Sequence, residues 1–143
     1  MANSIRLLGL AKKAGKLEIG EDSCGTAARA KKVKIILTAR DSADNSVQRA
    51  RNFSKIGNVP HVVLPYTKYD LGLEVGRGSP GMLGITDVGL AAKFVSELAR
   101  EFPGGYEETS DLLAKKNEKT LRRRKEARAH ERNVKMGKRR KTE

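Results

Sequence analysis

Residues 33–39 read Val33-Lys34-Ile35-Ile36-Leu37-Thr38-Ala39, and this run decides the fold. It has the length of one strand, is rich in β-branched side chains and is nearly continuous in apolarity. A strand with one wet face alternates; a run without alternation belongs to a strand covered on both faces. Such a strand requires a helix layer on each side. The flanking sequence supplies them. Upstream, Ile5, Leu7, Leu8 and Ala11 fall at helical spacing, with Gly15 as the C-cap candidate. Lys16 to Ile19 alternates like a short strand. Gly20-Glu21-Asp22-Ser23 turns into a second helix reaching about Ala30, its amides within reach of an Asp22 or Ser23 cap. Downstream, Val47, Ala50, Phe53 and Ser54 lie along a third helix that Gly57-Asn58 ends. His61 to Leu64 is a strand, Tyr66 to Val75 a short helix, and Met82 to Thr86 a last strand. Val88, Ala91, Ala92, Val95 and Leu98 form the stripe of a closing helix. Strand and helix alternate with short links, so the expected fold class is α/β: a sheet sandwiched between helix layers. The strand order does not follow from the pattern.

The chain has 143 residues, enough for one domain and some extra chain. Thirty basic against 17 acidic residues give a net charge of +13. A surplus that large points to a polyanionic partner, nucleic acid first and an anionic membrane second. The charge is uneven. Residues 106–143, about a quarter of the chain, carry 14 basic and 7 acidic residues, half of the net charge. Phe102-Pro103-Gly104-Gly105 separates this segment from the rest with chain breakers. The expected organisation is a globular domain over residues 1–102, then a linker and basic tail over 103–143. The stretch LRRRKEARAHERNVKMGKRRK lacks an apolar face but is rich in helix formers, so the tail is disordered or helical. No run reaches the ~18 apolar residues of a spanning helix. The opening MANSIRLLGLAKKAG lacks the apolar core and cleavage site of a secretory leader. The single cysteine, Cys24, excludes an internal disulfide framework, and the expected compartment is the cytoplasm.

Four groups of residues qualify as candidate sites. The stretch Gly76-Arg77-Gly78-Ser79-Pro80-Gly81 matches a dinucleotide-binding pattern of spaced glycines, but it leaves a helix and enters a strand, the reverse of what that motif requires. A flexible connection, or a loop whose bare backbone lies against RNA, fits better. The Gly20 turn offers helix amides to an anion, and Glu21 and Asp22 as acceptors for guanine edges; simple capping is the alternative. Arg29, Lys31, Lys32 and Lys34 cluster around the end of the second helix and, with Arg40 and Arg77, form a candidate phosphate-binding face. Arg122, Arg123, Arg124, Lys125, Arg139 and Arg140 supply tail phosphate contacts. Exposed aromatic stripes for stacking bases are absent from the pattern. His61 and His130 form no metal pair, Cys24 reads as a buried core thiol, and Asp41, Asp44, Asp70 and Asp87 all fall at helix starts. No catalytic constellation is found.

Three segments in this order and spacing, LLGLAKKAGKLEIGED, ARAKKVKIILTARDSADNS and TKYDLGLEVGRGSPGMLGITDVGLA, resemble the L-seven-Ae, L-thirty-e and S-twelve-e ribosomal protein family, in particular its small stand-alone bacterial members. The resemblance runs from about Ile5 to Leu98. It implies a three-layer α/β/α sandwich with a mixed four-stranded sheet. It also implies non-enzymatic binding of structured RNA, typically kink-turns, whose tandem G·A pairs expose guanine edges. Carried over by position, the implied RNA-binding residues are Gly20, Glu21, Asp22, Ser23 and Thr26, then Gly76 through Met82, with Arg40 after the first core strand. Strong archaeal binders of the family read Gly-Ala-Asn-Glu where this chain reads Gly20-Glu21-Asp22-Ser23, with a lysine at the position of Thr26. Asp22 accepts from guanine but, unlike asparagine, cannot donate. The expected partner is structured RNA, either ribosomal RNA or the ribosome, bound by a monomer without membrane, cofactor or metal. The alternatives are a protein-interaction module or a translation accessory factor with little RNA specificity.

Overall fold

The computed structural model describes residues 4–76 and 78–142, with side chains described as far as Met136. The elements run α1 (Ser4–Lys13), β1 (Leu17–Ile19), α2 (Glu21–Arg29), β2 (Ile35–Thr38), α3 (Asp44–Gly57), β3 (His61–Val63), α4 (Lys68–Val75), β4 (Met82–Ile85), α5 (Val88–Glu101) and α6 (Glu107–Thr142). The four strands form one mixed sheet in the order β1-β4-β2-β3. Only β2 and β3 run parallel; β4 is antiparallel to both of its neighbours.

The burial of β2 explains the layers. All four of its residues are buried. Ile35 and Leu37 enter the larger core with Leu8 of α1, Leu71 and Val75 of α4, and Phe94, Val95 and Leu98 of α5. Ile36 enters a second core with Cys24, Ala27 and Ala28 of α2 and Ala50 of α3. The strand therefore feeds two cores from its two faces, and the fold is the three-layer sandwich. Gly84 keeps the thinner layer close: a Cβ there would lie 2.9 Å from Val33 Cγ2. The polar residue of β2, Thr38, is fully buried but satisfied, its Oγ1 sharing a 2.9 Å hydrogen bond with His61 Nε2. Burial holds the imidazole of His61 below its ordinary pKa.

Of the four carboxylates expected at helix starts, Asp70 and Asp87 cap the helices they begin, whereas Asp44 is the first residue of α3, whose N-cap Ala43 provides no side-chain cap. Asp87 Oδ2 accepts from the Leu90 amide at 2.9 Å, and Thr67 and Asp70 form a capping box on α4. Asp41 also serves α4, accepting from the Lys68 amide at 2.8 Å. Tyr66, expected inside this helix, precedes it; its ring is buried and its hydroxyl bonds Ser4 Oγ. At the start of α2 the expectation fails. Gly20 occupies the cap position and no side chain caps the helix. Asp22 and Ser23 already lie within its first turn, where their side chains cannot reach forward to its amides.

Packing continues beyond Phe102. Leu113 of α6 is fully buried in the larger core, and Tyr106 packs against it while its hydroxyl donates to the Val63 carbonyl on edge strand β3 at 2.7 Å. Thr109, Ser110, Leu113, Asn117 and Thr120 form the less exposed stripe of α6, at helical spacing. Glu107 starts the helix: its carboxylate accepts from the amides of Gly104 at 2.6 Å and Tyr106 at 3.1 Å. The basic tail is thus helical, and from Leu121 to Met136 every residue is exposed. Among the described residues, no helix is long and apolar enough to cross a membrane.

This division of α6 has a measurable consequence. Leu113→Ala should cost ~2–5 kcal/mol in urea unfolding, the cost of emptying a buried leucine site. Leu121→Ala, at a residue 52% exposed on the same helix, should stay within about 0.5 kcal/mol of the parent. Equal effects at the two positions would contradict the docking of the first turns of α6.

Candidate nucleic-acid interface

The turn after β1, the turn after β2 and the loop before β4 meet at one end of the sheet. This follows from strand direction: the C-terminal ends of β1 and β2 lie beside the N-terminal end of their common neighbour β4. The contacts are specific. The Gly20 amide donates to the Met82 carbonyl at 2.9 Å, and the Ala39 amide to the Gly81 carbonyl at 3.1 Å. Ser42 Oγ also donates to Gly81, at 2.6 Å, while the Arg40 amide donates to the Tyr66 carbonyl at 2.8 Å. Gly20, Arg40 and the Gly78–Gly81 stretch are thus brought to one end of the sheet. Arg77 lies outside the described residues.

Gly20 opens α2 at φ 95° and ψ 164°, a backbone region essentially closed to residues with a Cβ. Behind it, Glu18, Asp22, Ser23, Thr26, Ala30 and Lys32 line a depression of about 330 Å³ between β1 and the outer face of α2. Asp22 and Thr26 are exposed; Thr26 Oγ1 donates to the Asp22 carbonyl at 3.0 Å. The depression therefore offers carboxylate and hydroxyl groups along one wall and a cation at its end.

Three of the expected site residues stand otherwise. Glu21 turns toward α3, where Arg49 Nη1 lies 2.6 Å from its carboxylate. A hydrogen bond from Ser46, followed by the Arg49 contact, holds its carboxyl below the ordinary range, so its acceptors are already engaged within the protein. Met82 is fully buried in the smaller core and offers no side chain to a ligand; it contributes its carbonyl to Gly20. Lys31 donates its ammonium to the Ile56 carbonyl at the end of α3, where the negative end of that helix favours a cation.

The basic cluster at the end of α2 is divided by the way the helix stops. Lys31 takes a left-handed conformation, φ 59°. Its amide bonds the Ala28 carbonyl and the Lys32 amide bonds the Ala27 carbonyl, a Schellman closure. Past this turn the side chains diverge. Lys32 joins the depression beside Asp22; Lys31 and Lys34 line a different groove, together with Arg123 and Arg124 of α6. Arg29 lines neither. Arg122 and Lys125 lie on α6 outside that groove, and the side chains of Arg139 and Arg140 lie outside the described residues. Cys24 is the buried thiol expected, its pKa pushed up to about 12 by burial, with Glu18 and Glu21 adding to the effect.

The sequence left one contributor unnoticed. Gly72 sits inside α4, where a Cβ would lie 1.9 Å from the Gly78 carbonyl oxygen. The glycine loop rests its backbone on this position. A glycine within a helical pattern, which costs ~1 kcal/mol against alanine, was the available signal of a close approach.

No protein-family model matches the chain. It is 29% identical over 92 residues to the RNA-binding protein YlxQ of Bacillus subtilis (strain 168), spanning 64% of this chain and 91% of that protein. With the RNA-binding protein YlxQ of Enterococcus faecium it shares 31% identity over 90 residues, spanning 63% and 85%. Among solved structures, a protein with unknown function from Bacillus halodurans C superposes with a TM-score of 0.62 at 22% identity, covering 68% of this chain and 98% of that one. The Giardia lamblia 15.5kD RNA binding protein superposes with a TM-score of 0.56 at 16% identity, covering 67% and 84%. At these identities the two structures establish the fold alone.

Gly72→Ala tests the seat of the loop. On an open helix face the change would stabilise by about 1 kcal/mol. Against the Gly78 carbonyl it should instead lower the thermal midpoint, since overpacking costs ~1–3 kcal/mol, and should shift the amide resonances of Gly78, Ser79 and Gly81. A raised midpoint with unmoved resonances would place the loop elsewhere.

Proposed function

We infer that this chain, which belongs to the family of the bacterial RNA-binding protein YlxQ, binds structured RNA through the end of its sheet that carries Gly20, Arg40 and the glycine loop. The observation that carries the reading is the 2.9 Å hydrogen bond from the Gly20 amide to the Met82 carbonyl. It joins the uncapped start of α2 and the glycine loop into one continuous surface. Uncapped first-turn amides attract an anion. Asp22, Ser23 and Thr26 offer acceptors to guanine edges, and Lys32 and Arg40 offer cations to the flanking phosphates. The loop offers bare backbone at Gly78 and Gly81, suited to an unstacked nucleotide.

The RNA that fits this layout is kink-turn-like: G·A pairs present guanine edges to α2 while a bulge lies under the loop. The resemblance to the ribosomal protein family supports this reading, and ribosomal RNA is the preferred partner. Recognition requires no chemistry on the substrate, so the reading is of a non-enzymatic binder, and we propose that it acts as a monomer in the cytoplasm. Glu21, occupied by Arg49 and Ser46, is left out of the RNA contacts and serves to fix α2 against α3. Tail cations add sequence-independent phosphate contacts.

One observation favours the rival reading, a protein-interaction module. Leu10 and Leu73, 54% and 69% exposed, line one depression between α1 and α4. Binding separates the two. At ~150 mM salt, where exposed charges are largely screened, the intact protein should prefer a kink-turn RNA over its G·A-disrupted twin. Asp22→Ala should reduce that preference, whereas Lys32→Ala should weaken both RNAs alike and lower the salt slope by about 1. Equal affinity for the two RNAs, unchanged in Asp22→Ala, would remove the kink-turn reading.

A further inference from the structure

The second groove lies at the other end of the sheet. Lys34 precedes β2 and Arg40 follows it, so an extended run of six residues, roughly 20 Å, separates the two ends. The groove runs between α6 and the corner where α2 gives way to β2, and encloses about 390 Å³. Lys116, Lys119, Arg123 and Arg124 form its α6 wall; Lys31 and Lys34 face them. Past Asn58 and Val59 it continues into a depression that adds Lys55 of α3.

The charge balance of this channel is one-sided. One carboxylate lines it, that of Asp87, and it is committed to the Leu90 amide. Among the described residues, the ion pairs join Arg49 to Glu21 and Arg100 to Glu97, both elsewhere. Like charges gathered from α6, α3 and the α2–β2 corner raise the energy of the folded chain, and an entering polyanion lowers it. The α6 cations recur once per turn, about 5.4 Å along the axis. A linear array of this kind suits a chain of phosphates better than a single small anion. The docking of α6 does not depend on these cations, since Leu113 and Tyr106 hold its first turns.

We propose that this channel binds the phosphodiester backbone of a second RNA segment, so that the protein holds two segments at opposite ends of its sheet. The proposal rests on the RNA-binding reading and gives two of its tail cations, Arg123 and Arg124, a defined place beside Lys31, Lys34, Lys116 and Lys119, away from the Gly20 surface. Its specificity is for charge and backbone, not for bases.

The test uses the full chain and a plain 16-base-pair RNA duplex lacking bulge and G·A pairs, followed by fluorescence anisotropy across a salt series. The triple variant Lys119→Gln, Arg123→Gln, Arg124→Gln removes three exposed channel cations. Arg128→Gln, Arg132→Gln, Lys135→Gln removes the same charge further along α6, beyond the channel. The channel triple should lower the salt slope by about 2.7, the value for three phosphate contacts, and weaken duplex binding at least tenfold at physiological salt. The distal triple should do less than half of this. The preference of the channel triple for a kink-turn RNA over the G·A-disrupted twin should equal that of the parent. Equal effects from the two triples, no effect from the channel triple, or no duplex binding by the parent would each overturn the proposal. So would loss of the kink-turn preference in the channel triple. Absence of that preference in the parent would instead refute the kink-turn reading, while the duplex comparison still decides the channel. Circular dichroism of both triples verifies that α6 persists.

Discussion

Burial of β2 on both faces is the constraint on which the rest of the structure depends. Side chains leave a strand alternately, so a four-residue strand without an exposed position must place Ile35 and Leu37 in one core and Ile36 in another. Each core then needs helices to close it. The buried side chains that α2 and α3 give the smaller core are alanines and Cys24, with Gly84 bare beneath them, so the two helices lie close to the sheet. The larger core takes Phe94 and the leucines of α1, α4 and α5. Thr38 is tolerated in the interior because His61 completes its hydrogen bonding.

The same strand separates function. Segments leaving β2 and its neighbours emerge at two ends of the sheet, and the charged residues are sorted accordingly. At one end the Gly20 turn, the uncapped start of α2 and the loop seated on Gly72 form a surface of backbone amides, acceptors and a few cations. The other end gathers mainly cations, with Asp87 its one carboxylate. A surface of mixed donors and acceptors can discriminate bases; an array of cations cannot, but adds affinity to any phosphate chain. The two proposed contacts therefore divide specificity and strength between them, at opposite ends of one rigid sheet.

The basic tail connects these ideas with folding. Its first turns are held by burial of Leu113 and by the Tyr106 hydroxyl on the edge of β3. Its later turns have no such support, and their helix is a matter of residue type: leucine, alanine, arginine, lysine and glutamate lose little freedom in a helix. Glu118 and Arg122, Arg122 and Glu126, and Glu131 and Lys135 also stand four residues apart with opposite charge. Docking of the anchored turns is what brings Lys116, Lys119, Arg123 and Arg124 to Lys31 and Lys34.

Some of this was legible in the linear chain. The run from Val33 to Ala39, the alternation of strand and helix, the acids at helix starts and the burial of Cys24 depend on local pattern, and local pattern survives into the fold. The role of Gly20 as a bare helix start was half legible: glycine announced the turn, but a side-chain cap from Asp22 or Ser23 was equally compatible with the residues. What the linear chain determined about this protein is therefore the existence, type and order of its elements, and the excess of positive charge. Strand order, the engagement of Glu21 by Arg49, the burial of Met82, the seat of the loop on Gly72 and the split of Lys31, Lys32 and Lys34 between two surfaces were decided only in three dimensions. Each joins residues far apart in sequence, or depends on one backbone rotation such as the left-handed turn at Lys31, and no local preference encodes such a contact.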